Sequence, residues 1–393
     1  MTAQSPGADR AAHWSATQIA AALAVGSIAV LIVGTQPIFL GALLDAGQVS
    51  LEGVGLVAMG EIVAIGLGVV LGNAALPASR LRLITIAAAL AAAGCDGLTL
   101  RASGDGPLLA VRAAAGLAEG VLVWGTTGVI VRCAHPARVG GVFFVAQTLA
   151  QAALGAIVSR AVIPPLGWQG AFAALAGVAL LPCALAWLQP ARLAPLAAEE
   201  RSGLRWSPAM LATLAVIFLQ LATLGSLWAY FEPLGKAAGF DAEAAQTLVA
   251  GVLAMQVAGG SIASLAVRRL AAVPALLGSS LVLATVTATV HGLPPGSTVS
   301  FGSAAAVFGF CWLFLLPFQI GLALRADPSG RLATMVPAAQ LLGSAFGPLA
   351  ASFLVEGDDV GAVPLLSAAL AVAAALLLLA GRRLSGPAPG PEP

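Results

Sequence analysis

Charged side chains inside long apolar runs are the residues of this sequence that could do chemistry. Glu61 and Glu119 each fall near the middle of such a run, and Arg112 lies seven residues before Glu119. Seven residues are two helical turns, so Arg112 and Glu119 share one helix face, about 10 Å apart along the axis. A carboxyl held among apolar side chains can take up a proton and release it when its surroundings open to water. A guanidinium in that setting needs acceptors, and Glu119, Asp96 and backbone carbonyls are the candidates for Arg112. Other chemistry finds no residues. The four cysteines (Cys95, Cys133, Cys183, Cys311) are far apart and mostly within apolar runs, so they read as packing residues. The three histidines, His13, His135 and His291, are isolated. No metal centre, cofactor site or nucleophile–base pair follows, and no G-x-x-x-x-G-K-[ST] run offers a nucleotide site. The expectation is a protein that is not an enzyme.

The elements that hold these charges are set by composition. Of 393 residues, 59% are hydrophobic and 9% are charged, against roughly 45–50% and 25% in a soluble domain. So little polar surface cannot cover a soluble globule. A net charge of +1 supplies no field for nucleic acid. Spanning helices need about 20 apolar residues each, and about 12 fit the chain. Charges and turn residues cut it into runs at 17–44, 52–75, 82–101, 107–131, 141–163, 170–189, 208–232, 243–267, 271–291, 299–324, 332–355 and 361–381. The expected plan is all-α: 12 transmembrane helices in two six-helix bundles, 17–189 and 208–383. A polar N-terminal tail (1–16), not a signal peptide, precedes them. A linker (190–207) joins them, and a Pro-rich tail (384–393) follows, read as disordered. Continuous Ala/Leu/Val/Ile/Gly runs exclude a β-barrel, which alternates.

Orientation follows from Lys and Arg. With both termini in the cytoplasm, all of the 18 basic residues except Arg101, Arg112, Arg160 and Lys236 fall on the cytoplasmic side. An internal repeat supports two parallel halves. Sliding the chain by 193 positions lays Arg132 on Arg325, Arg138 on Arg331 and Gln147 on Gln340.

Three stretches resemble the major facilitator superfamily of transporters, in its bacterial 12-helix branch. Arg112-Ala-Ala-Ala-Gly116-Leu-Ala-Glu119-Gly120 is similar to the family's R-x-x-x-G-x-x-x-G motif. Gly167-Trp168-Gln169-Gly170-Ala171-Phe172 resembles its G-W-R-x-x-F turn, and Asp327-Pro328-Ser329-Gly330-Arg331 resembles a turn of one prokaryotic branch. Two features depart from the pattern. The loop Gly72–Arg82 lacks the acidic residue that the family places between helices two and three. The fifth run lacks the Gly-Pro pair typical of drug antiporters, while Gly347-Pro348 appears in the eleventh.

The resemblance implies that helices 1, 4, 7 and 10 line a central cavity, that 2, 5, 8 and 11 flank it, and that 3, 6, 9 and 12 face lipid. On that plan Glu61 and Glu119 become proton-coupling candidates. Gln36, Arg112, Trp124, Gln151, Arg160, Gln220, Gln256 and Trp312 become substrate-binding candidates. Each has a structural alternative: Glu61 as a hydrogen-bonded carboxyl between the halves, Arg112 as an ion-pair partner, the glutamines as helix–helix glue. Asp96, on a lipid-side helix, reads as a partner for Arg112 or as a residue near the membrane interface. Trp228, Tyr230 and Phe231, with Glu232 at the outer end of the seventh run, read as an interfacial aromatic belt or as an outer gate.

The expected function is secondary active transport of a small organic solute, a carboxylate or other anion being suggested by Arg112 and Arg160, with proton coupling and alternating access. The alternative is a proton-antiport efflux pump for drugs or metabolites. A non-transporting receptor on the same scaffold, or a membrane-embedded hydrolase, has less in the sequence to support it. The expected partners are solute, protons and the lipid bilayer of a bacterial inner membrane, with no nucleic acid and a monomeric chain.

Overall fold

The computed structural model describes residues 14–193, 206–328, 331–357 and 359–384. Among them the chain is helical between short turns, and the β contact is one isolated bridge, Glu356 to Asp359. The helices are α1 (Ala16–Ala29), α2 (Leu31–Asp45), α3 (Leu51–Ala75), α4 (Leu81–Thr99), α5 (Asp105–Ile130), α6 (Pro136–Ile157), α7 (Ile163–Ala179) and α8 (Leu181–Leu185). After residue 205 come α9 (Pro208–Ala229), α10 (Phe231–Ala237), α11 (Ala242–Ala266), α12 (Ala272–His291), α13 (Thr298–Ala326), α14 (Arg331–Ser352) and α15 (Ala362–Leu384).

Polar residues at the edges of the apolar runs start these helices. Ser15, Ser50, Ser207 and Asp241 each accept a backbone N–H from the first turn of α1, α3, α9 and α11. Pro136 and Pro208 occupy first-turn positions, where a missing N–H costs nothing. Large apolar side chains such as Leu67, Val70, Leu83 and Leu265 stand exposed on the outer faces. Apolar surface outside as well as inside is the pattern of helices solvated by lipid.

Among the described residues ten segments are long and apolar enough to cross a membrane, and the chain is a multi-pass membrane protein. The sequence reading separates twelve runs, and four of them differ in the structure. The runs 141–163 and 170–189 join in one helical stretch, Arg138–Leu185, of 48 residues. Straight, it would reach about 72 Å, more than twice a ~30 Å hydrocarbon core. It is broken by a π turn at Val158–Val162 and by Gly167 at φ 64°. The eleventh run forms α14, which holds Gln340 and two prolines and is not among the ten. The seventh run ends at Ala229 rather than at residue 232, because Tyr230 leaves helical geometry (φ −103°, ψ 16°). Pro233 explains the break, since it has no N–H for the Ala229 carbonyl and its ring crowds that oxygen.

Close approaches between glycines and facing backbones set the packing. A Cβ on Gly116 of α5 would lie 2.4 Å from the Glu61 carbonyl oxygen of α3, and one on Gly120 would lie 2.1 Å from that of Ile65. The α5 backbone therefore rests directly on α3. Across the chain's midpoint α3 packs on α14, where Gly55 meets the Pro348 carbonyl, and α6 packs on α11. Helices α1 and α9 both run away from the end where the described chain begins. That end is called proximal below, and the end holding Asp45 and Lys236 distal. The tail 1–13, residues 194–205 of the expected linker, Ser329 and Gly330 of the turn motif, and residues 385–393 lie outside the described residues.

Candidate functional site

Four helices, α2, α3, α4 and α5, bring polar side chains to one buried point. Arg112 is 1% exposed. Its Nη2 donates to Glu61 Oε1 of α3, its Nη1 donates to Asp96 Oδ1 of α4 at 2.5 Å, and its Nη2 lies 3.7 Å from Glu119 Oε1 two turns along α5. Gln36 of α2 donates to Glu61 Oε2 and to the Ala58 carbonyl, each at 3.4 Å. The guanidinium carbon lies 5.5 Å from the ring centre of Phe172 on α7, an attractive cation–π placement.

The local sequence explains the arrangement. Gly116 follows Arg112 by one turn and presses α5 against α3 at the Glu61 carbonyl, which brings the guanidinium level with the Glu61 carboxyl. Phe172 closes the turn motif that starts at Gly167. It is held edge-on by Phe39 at 5.1 Å and by Trp168 at 6.5 Å. The two recognisable motifs of residues 112–120 and 167–172 thus meet at one guanidinium.

Charges here do not balance. One guanidinium faces three carboxyls, and Glu119 Oε2 is buried without a hydrogen-bond partner. Beside Asp96 and Glu119 lies a cavity of about 10 Å³, walled by Ile28, Ala29, Ile32, Leu122 and Leu175. That is space for about one water molecule. The cluster can hold a proton on a carboxyl and has one unpaired oxygen to receive it.

The remaining candidates lie elsewhere. Gln151 is buried on α6 and donates at 2.7 Å to the Val30 carbonyl at the break between α1 and α2. Trp124 lies over Gly72 near the proximal end, in a small core with Leu81 and Leu193, about one and a half turns beyond Glu119. Arg160 is exposed on the π turn. Gln220 belongs to a separate chain of amides. Gln340 Nε2 donates to Gln319 Oε1 at 2.7 Å, Gln319 Nε2 to Gln220 Oε1 at 3.0 Å, and Gln220 Nε2 to Ser280 Oγ at 2.9 Å. That chain ties α14, α13, α9 and α12 together. Gln256 is buried on α11. Trp312 is half-buried on α13, edge-on to Trp228 at 5.4 Å and to Phe308 at 5.9 Å.

Trp228, Tyr230 and Phe231 are at most 3% exposed, so they form no belt at a membrane surface. Trp228 Nε1 donates at 3.2 Å to the Val33 carbonyl on the opposite half of the chain. Pro37 lacks the N–H that would otherwise take that carbonyl, so the indole fills a place the proline vacates. Asp96 pairs with Arg112, as one of its two sequence readings expected, and at 1% exposed it is not at an interface. Sequence reasoning missed Phe172 and Gln319. A single amide in the apolar run around Pro317 was the available signal for Gln319.

The architecture is shared with solved transporters. The nucleoside transporter NupG (as its D323A mutant) superposes with a TM-score of 0.71 at 12% identity, covering 93% of this chain and 99% of that one. The xylose transporter XylE from E. coli, in a partially occluded inward-open conformation, gives 0.66 at 14%, covering 92% and 99%. A D-xylose-proton symporter gives 0.65 at 15%, covering 92% and 95%. No protein-family profile matches the chain, and no curated protein sequence does. At these identities the likeness defines the fold: the chain has the fold of major facilitator superfamily transporters.

Proposed function

We propose that this chain is a secondary active transporter that moves a small organic solute by alternating access, coupled to protons at the Glu61–Asp96–Arg112–Glu119 cluster. The reading includes twelve spans in two six-helix bundles (17–189 and 208–383), termini in the cytoplasm, and a monomer in a bacterial inner membrane. One observation carries the coupling role: three carboxyls share a single guanidinium, and one carboxyl oxygen has no partner. A structural ion pair needs one acid. Two more are a cost in an apolar interior unless they do work. Proton gain and loss changes the balance around Arg112, and with it the pull between α3, α4 and α5.

The solute is better read as neutral and polar than as an anion. Arg112 is already engaged by carboxylates, and Arg160 stands exposed on the π turn. Sugar and nucleoside transporters with this fold support that class. Efflux of cationic compounds has less support, because Glu61 is bonded to Arg112 and Glu119 is buried 3.7 Å from the same guanidinium.

The test uses purified protein in proteoliposomes under an imposed pH gradient, with radiolabelled pentoses, hexoses and nucleosides as probes. Wild type should accumulate one class. E61Q and E119Q should lose gradient-driven accumulation while keeping exchange of solute across the membrane. Accumulation by both variants at the wild-type rate would falsify coupling at this cluster.

A further inference from the structure

A second charged group joins the two halves at the distal end, in the short helix α10 beyond the span that ends at Ala229. Lys236 Nζ lies 2.5 Å from both Oδ1 and Oδ2 of Asp45, the last residue of α2. It also lies 2.9 Å from Glu232 Oε1, one turn back on its own helix. Gln246 Nε2 of α11 donates to that same Oε1 at 3.1 Å. Oε1 is therefore bonded twice, while Oε2 is buried and bonded to nothing. Oε2 is pressed against α2 at Gly41, where an added Cβ would stand 1.5 Å from it. Glu232 is 0% exposed, although Lys236 and Asp45 beside it reach solvent.

Lys236 on its own helix and Asp45 from α2 are the charged groups facing Glu232, and α11 presents the Gln246 amide. Two carboxylates against one ammonium leave one negative charge in excess, and the oxygen with no donor is the one sealed under α2. A proton on Oε2 would cancel that excess. Parting α2 from α10 would expose the same oxygen to water, where an ionised carboxylate is hydrated.

We propose that Glu232 is a second proton-binding site, separate from the Arg112 cluster, which loads when the distal ends of the two halves close on it and empties when they part. The proposal rests on the alternating-access reading. Burial pushes the Glu232 carboxyl up to about 7; the Lys236 ammonium and the Gln246 amide oppose the rise, and Asp45 adds to it. An acid with a raised value in the closed form binds its proton more tightly there. Closure is thus favoured most below the ordinary carboxylate range and loses that support as pH rises through about 7.

The experiment places spin labels at Ala46 and Ala242, both exposed at the distal end, in a variant without the native cysteines. Distance distributions are recorded in nanodiscs from pH 5 to 9. Wild type should show a short distance at low pH, with the closed-to-open ratio falling by up to about tenfold per pH unit from pH 5 to about 7 and levelling off above it. E232Q should stay closed throughout. D45N, at a partly exposed residue, should shift the wild-type transition to lower pH. Two distances whose populations ignore pH would overturn the proton site and leave alternating access standing. A pH response that persists in E232Q but vanishes in E119Q would move the site to the Arg112 cluster. A single distance at every pH would overturn both readings.

Discussion

Replacing Arg112 by Met keeps much of the side-chain length and removes its charge. The guanidinium meets Asp96 at 2.5 Å, Glu119 at 3.7 Å and Glu61 by a direct hydrogen bond. At an effective dielectric near 20, a unit pair contributes roughly 4.5 kcal/mol at 3.7 Å and roughly 6.6 kcal/mol at 2.5 Å. Desolvation of the ions offsets several kcal/mol of this. Removing one partner of a buried pair typically costs about 3–5 kcal/mol, because a bare charge stays behind. Here one deletion strands three carboxyls, so R112M should lose at least about 3 kcal/mol. The triple variant R112M/E61Q/D96N leaves one acid in place of three and should recover most of that loss. Equilibrium unfolding of the purified variants in detergent measures both. A loss below about 1 kcal/mol in R112M, or a triple variant no more stable than R112M, would refute the view that charge balance holds the guanidinium.

Two further outcomes follow from packing and hydrogen bonding. G116V should cost more than about 1–3 kcal/mol and lower the monodisperse yield, because its Cβ meets the Glu61 carbonyl at 2.4 Å. G66V on the facing helix, where a Cβ meets nothing within 4 Å, should behave like wild type; equal yields of the two would sink the close-packing account. W228F should cost about 1 kcal/mol by stripping the donor from the Val33 carbonyl, and much less in a P37A background, where residue 37 regains its N–H. Thermal melts of the four combinations give the coupling, and additive losses would disprove it.

The sequence made the helical class legible because its apolar runs are continuous and its polar residues fall at their edges. The motif around Arg112 also singled out the guanidinium that meets the buried carboxyls, since residue spacing along one helix fixes which side chains share a face. Asp96 was harder to place. A helix plan says which helices border lipid, not how each is rotated, and α4 turns Asp96 inward against α5. The contact of Asp45 with Lys236 was invisible for a different reason: 191 residues separate the two, and each alone reads as an ordinary charge at a helix end. The end of the seventh run was misplaced by three residues because hydropathy continues past Tyr230 while the backbone, lacking the Pro233 donor, does not. Trp124 and Gln151 were chosen by depth, which locates a residue along a helix but not around it.

The order of the cluster along the chain bears on how the protein is made. Glu61 and Asp96 leave the ribosome before Arg112, and α5, which carries the arginine and Glu119, has the lowest mean hydropathy of the ten segments, 1.5. A lone arginine and a lone glutamate in a helix centre each add a few kcal/mol to its insertion. The fifth helix therefore depends on earlier ones for its place in the bilayer: α3 and α4 wait there with acids that have no counter-ion, and α5 enters with the missing charge. A nascent chain halted before residue 105 would hold two unmatched carboxyls. Biogenesis of this half is thus sequential, each early helix left unfinished until a later one completes it.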